Sequence, residues 1–183
     1  MPPIAYEFDW PDRLVVGTVG RPGSRSFYLQ ARTGSRMVSV ALEKEQSAVL
    51  AVKIEEILDE LMVERGNPYS IPATTPVELV DNDPLDQPVD AQFRTGALSL
   101  GWDPATAQIV VEAFPFVEEE DDEALDEDMP EPEEVFVVRI PVGTARAFAK
   151  RTLEVVGAGR PLCPLCGTPI EGGGHICPLP DDL

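Results

Sequence analysis

Cys163, Cys166, His175 and Cys177 are the residues of this chain best equipped for chemistry: every cysteine and the single histidine, gathered near one end of 183 residues. Three thiols and an imidazole form the ligand set of a Cys3His zinc site. The spacing is Cys-x2-Cys-x8-His-x-Cys. Cys163 and Cys166 come from one tight turn, stiffened by Pro164. Gly167 lets the chain reverse through a positive φ at low cost. Gly172, Gly173 and Gly174 allow the backbone to fold in closely, and an i, i+2 pair such as His175 and Cys177 on extended chain shares one face. Pro178 closes the segment.

Four protein donors fill a tetrahedron and leave no place for a water nucleophile. Such closed shells are structural, whereas catalytic zinc keeps a position open. The expectation is therefore a structural zinc that folds together with a C-terminal knuckle. Two other arrangements use the same residues. A disulfide plus a spare thiol uses the same cysteines, but an odd count and a cytosolic setting speak against it. A catalytic zinc with one ligand misassigned lacks an obvious general base nearby.

Composition bounds what must position this site. With 43% apolar residues the chain can bury one substantial core and carry a small appendage. The expected division is a core over 1–158 and a zinc knuckle over 159–183. No apolar run is long enough to span a membrane, and Met1 to Trp10 lacks the basic and apolar regions of a secretory signal. A cytoplasmic protein is expected. The net charge of −19 opposes nucleic-acid binding through the overall field. Much of that charge sits in one tract: Glu118 to Glu123, Asp126, Glu127, Asp128, Glu131, Glu133 and Glu134 are interrupted by no basic residue. The tract predicts a solvated, disordered loop over 117–134, either a solubility insertion or an acidic arm.

Strand signals open the chain at Ile4–Trp10, Arg13–Gly20, Ser26–Arg32 and Met37–Leu42, with a turn at Arg21–Ser24. Helical spacing runs from about Lys44 to Arg65, with Glu55, Glu56, Asp59 and Glu60 assigned to its outer face and Gly66-Asn67-Pro68 as its stop. An extended connector follows to Pro88, with a short strand at Val77–Val80. Further strands are expected at Gln92–Gly101, Gln108–Phe114 and Val135–Ile140, then a helix to about Val156. Val38-x-Val40-x-Leu42 before the first helix echoes Val138-x-Ile140-x-Val142 before the second. The fold class is α+β: a mostly antiparallel sheet from a possible duplicated strand-strand-strand-helix unit, with two main helices.

Beyond the metal, Arg139, Arg146, Lys150, Arg151 and Arg160 form a local positive zone, a candidate docking face for an acidic partner, a phosphate group or RNA. Arg25, Arg32 and Arg36 could extend it. Asp9, Asp12 and Asp103 are the carboxylates an enzyme of unfamiliar type would use. There is no nucleophile elbow and no phosphate loop; Gly17-Thr-Val-Gly20 reads as a hairpin.

Several segments carry a resemblance. Phe8-Asp-Trp-Pro-Asp-Arg13, Phe27-Tyr-Leu-Gln-Ala-Arg32, Gly96-Ala-Leu-Ser-Leu-Gly-Trp-Asp103, Ala145-Arg-Ala-Phe148 and the Cys163…Cys177 tail resemble an uncharacterised actinobacterial family classed only as a domain of unknown function. The resemblance covers nearly the whole chain. It implies a pathway shared with a phosphotransferase resembling lipid kinases and with a protein resembling histidine phosphatases. Related tails look more basic than Pro180-Asp-Asp-Leu183. The leading expectation is a non-catalytic, zinc-containing interaction or adaptor protein that docks a protein partner, with the kinase-like and phosphatase-like proteins as candidates, through the knuckle and the adjacent basic helix. An RNA- or nucleotide-binding factor using the same face is the alternative.

Overall fold

Alternating apolar residues build a single sheet with a buried inner face. Leu14 and Val16, Phe27, Leu29 and Ala31, Val38 and Val40, Ile109 and Val111, and Phe136, Val138 and Ile140 all point to the same core. The computed structural model describes residues 2–118, 131–158, 163, 165, 166 and 177. Its strands are β1 (Ile4–Asp9), β2 (Arg13–Val19), β3 (Ser26–Thr33), β4 (Arg36–Leu42), β5 (Ala91–Asp103), β6 (Gln108–Pro115) and β7 (Glu134–Pro141); its helices are α1 (Lys44–Met62) and α2 (Val142–Gly157). The acidic tract is described only at its flanks. Glu134 already belongs to β7, and Ile4 N donates to Glu133 O at 2.9 Å, so the expected loop ends earlier than 134. Residues 119–130 lie outside the described residues.

The sheet order is β1-β7-β6-β5-β4-β3-β2. Two antiparallel meanders, β2-β3-β4 and β5-β6-β7, are each followed by a helix, so the strand-strand-strand-helix order recurs. They join through a short parallel contact, Ser39 beside Ala91 and Ala41 beside Arg94, with α1 spanning the crossover. β1 lies parallel on β7 much as β5 lies on β4.

The two edge strands, β1 and β2, are consecutive in the chain and joined by Trp10, Pro11 and Asp12 alone. Four residue steps span at most about 14 Å, so the sheet must curl until its edges approach. Arginines close the curl. Arg36 Nη1 donates to Glu7 O at 2.6 Å with its guanidinium over the Phe8 ring, and Arg151 Nε donates to Val16 O at 3.1 Å. Main-chain groups of both edges are thereby occupied, a means of blunting further strand pairing.

The helices fill the curl. Ile54 and Leu58 of α1 and Ala145, Phe148 and Ala149 of α2 are almost wholly buried against the inner face. α1 starts where Glu43 N donates to the Gln46 side chain at 2.8 Å. At the far end of α2, Arg25 donates to Val155 O at 3.1 Å, a cation where the helix dipole favours one.

The connector wraps the outer face of the β2-β3-β4 half. Val77–Leu79 is one 3-10 turn rather than the expected strand: Leu79 N donates to Pro76 O at 3.0 Å, and among the described residues no neighbouring strand offers a ladder. Leu85 then packs on Gly17, where a Cβ would sit 2.5 Å from Leu85 Cγ. Gln30, 1% exposed, exchanges hydrogen bonds with the Asp86 backbone at 2.8 and 3.1 Å.

Candidate metal centre

The chain leaves α2 at Ala158, whose N–H still bonds Glu154 O at 2.9 Å, and reaches Cys163 five residues later. Cys163 is buried, while Cys166 and Cys177 are half-buried. The three sulfurs lie within 4.8 Å of one another, and Cys163 Sγ is 3.9 Å from Cys177 Sγ. That distance is almost twice an S–S bond of about 2.05 Å, and none of the three cysteines is in a disulfide. Thiolates around a tetrahedral ion with metal–sulfur bonds of about 2.3 Å stand about 3.8 Å apart. The triad therefore has the spacing and the donor chemistry to hold a metal ion. His175, the expected fourth donor, lies outside the described residues, as does Arg160.

Elsewhere the structure corrects the expected docking face. Arg146 is 3% exposed and lies in the seam between the helices. It donates to the Glu55 carboxylate, to Asp59 at 2.7 Å and to Pro72 O at 2.8 Å. Glu55 and Asp59, assigned to an outer face, therefore turn toward α2. Arg151 is 9% exposed; it bonds Val16 O, Asp81 O at 2.7 Å and the Asp81 carboxylate at 3.2 Å. Burial lowers its pKa. Both arginines tie elements together. Lys150 remains exposed, 3.3 Å from Glu154, and Arg139 sits half-exposed beside Asp103 at 3.5 Å. Arg25 and Arg36 are occupied as described above, and Arg32 faces Asp86 at 3.3 Å.

A second polar constellation surrounds Arg13. Its guanidinium holds Asp81 at 2.7 and 3.0 Å, Asp86 at 3.1 Å and Asp83 O at 2.9 Å. Hydrogen bonds from Arg13 hold the Asp81 carboxyl below its ordinary pKa, and those to Asp81 raise that of Arg13. The cleft beside it, about 210 Å³, is walled by Leu14, Leu79, Phe148, Arg13, Asp81 and Arg151. Its charged groups are largely spent on anchoring the connector. The three carboxylates of the enzyme reading are held by separate partners: Asp9 accepts from Gln108 at 2.8 Å, Asp12 from Gly34 N at 2.7 Å and Asp103 from Ala105 N at 3.0 Å. Sequence reasoning missed the role of Asp81 and Asp86; their acidity within a proline-rich connector was the available signal.

A family model described as "Protein of unknown function (DUF3090)" matches residues 6–177. No curated protein and no solved structure matches the chain. No helix among the described residues is long and apolar enough to cross a membrane.

Proposed function

The chain belongs to the DUF3090 family of proteins of unknown function, and we propose that its cysteine triad, completed by His175, holds a structural zinc that shapes residues 159–183 into a docking module for a protein partner. The observation that carries this reading is the approach of the Cys163, Cys166 and Cys177 sulfurs to within 4.8 Å. Three thiolates favour a borderline-soft ion, and an imidazole two residues before Cys177 supplies a fourth donor without an open position. The role is then to order a segment too short to build its own core.

The partner is read as a protein rather than RNA. A chain of net charge −19 whose Arg146 and Arg151 are committed internally has little left for phosphate contacts. Lys150 stays exposed on α2, and Arg160 stands three residues before Cys163 in the sequence. The phosphotransferase-like and phosphatase-like neighbours are the partners to try first. Metal analysis of protein purified without added metal should find about one zinc per chain and none in Cys163→Ser/Cys166→Ser. Calorimetry should then detect binding to one purified neighbour, abolished by that double substitution. Metal-free native protein would overturn the zinc reading. Binding that survives the substitution would overturn docking through the knuckle, and salt-sensitive RNA binding in its place would reassign the partner.

A further inference from the structure

We propose that the triad is a redox-labile metal site, in which a hydroperoxide joins Cys163 to Cys177 and so dismantles the coordination shell; this rests on the zinc reading above. The two sulfurs stand 3.9 Å apart, close enough for a disulfide after a small approach. Their environments differ in a useful way. Cys177 is half-buried, while Cys163 is 8% exposed. The thiolate is the reactive form of cysteine.

The chemistry balances without any other reactant. The Cys177 thiolate attacks the terminal peroxide oxygen. The O–O bond breaks, the alkoxide or hydroxide leaves and takes a proton from water, and a sulfenic acid forms on Cys177. The Cys163 thiolate then attacks that sulfur, forming the S–S bond and expelling hydroxide, which is protonated to water. Two sulfurs have lost two electrons, and the peroxide O–O bond has gained them. Cys166 and His175 are the donors that remain, half of a set of four. A thiol reductant reverses the change and restores all three thiolates.

The odd cysteine has a defined place in this scheme. Cys166 is half-buried and its sulfur is within 4.8 Å of both partners, yet it is left reduced. The Cys163–Cys177 bond would link positions fourteen residues apart in the sequence.

The test uses the reduced, native full-length protein and hydrogen peroxide as the probe. Zinc content is measured before oxidation, released zinc is followed with a chromophoric chelator, and the products are mapped by mass spectrometry without reduction. The expected result is release rising from near zero to about one zinc per chain, with a Cys163–Cys177 disulfide and Cys166 unmodified. Cys166→Ser should still form that disulfide, and Cys177→Ser should form none involving Cys163. A reduced protein that holds no zinc would overturn the zinc reading itself. Zinc that is present but retained under peroxide, or released with a Cys163–Cys166 bond or a lone sulfinic acid, would overturn the switch and leave the structural zinc standing.

Discussion

Arg146 Nη2 donates to the Asp59 carboxylate at 2.7 Å, from a side chain only 3% exposed. The same guanidinium reaches Glu55 on the next turn of α1 and Pro72 O beyond it. One side chain thus joins both helices to the start of the connector.

Arg146→Ala should therefore destabilise the core rather than weaken a binding surface. Removing one partner of a buried pair costs about 3–5 kcal/mol. Glu55 and Asp59 keep 30% and 61% of their side-chain surface, so water can take over part of the arginine's work. A loss of about 2–4 kcal/mol is expected. It should appear as a lower urea midpoint with an unchanged slope. Arg146→Lys should recover only part of it, since a single ammonium cannot reach three acceptors in a fork. Native stability in Arg146→Ala would show that the clasp is dispensable.

The connector should come loose in acid. The folded Asp81 carboxyl lies below its ordinary pKa, chiefly through hydrogen bonds from Arg13. The folded state then binds fewer protons than the unfolded one. Its contribution is complete above the ordinary carboxylate range near pH 4 and fades as pH falls through that range toward the depressed folded value. The stability gap between the native chain and Asp81→Asn should be widest near neutral pH and narrow below about pH 4. Urea midpoints across that range decide it; a gap that stays constant would mean Asp81 contributes no linked protonation.

Local periodicity made the elements legible because each strand or helix buries a face set by its own spacing. Val38, Val40 and Leu42, and their echoes Val138 and Ile140, are core residues as the pattern requires. The roles of Arg146 and Arg151 were not legible, since burial there depends on acceptors far along the chain. Arg146 meets Asp59 across 87 positions, and Arg151 meets Val16 across 135. A charged residue on a helix reads as solvated until the neighbouring element is known. The i, i+4 spacing of Glu55 and Asp59 was a weak hint of a shared receiver. The cysteine triad was legible because its ligands are close in sequence and scarce elsewhere.

Leu85 and Gly17 offer a cleaner probe of the connector than any charge. A Cβ at position 17 would stand 2.5 Å from Leu85 Cγ and 2.6 Å from Cδ2. Gly17→Ala should displace Leu85 and cost about 1–3 kcal/mol by overpacking. Leu85→Ala removes the obstacle at the expense of its own burial. The double substitution should be less destabilised than the sum of the singles, with a favourable coupling of about 1 kcal/mol. Simple additivity would mean that the connector moves aside freely.

Cys166→Ser separates the tail from the core. Zinc-dependent folding free energy belongs to the segment that supplies the ligands, and those ligands all fall within 163–177. The core cluster contains none of them; it is built from six of the seven strands, the two helices and Ile71, with β5 contributing only partly buried residues such as Leu98 and Trp102. On the zinc reading, the variant should lose its metal and any amide protection that the metal gives residues 159–183. Amides of the central strands β4–β6 should keep their exchange rates, and core stability should shift by less than about 1 kcal/mol, the range of a remote substitution. Native-state hydrogen exchange on zinc-loaded and variant protein measures both at once. If protection in β4–β6 fell together with the tail, Cys163 and its neighbours would be part of the core's cooperative unit. The boundary placed after residue 158 would then have no thermodynamic meaning.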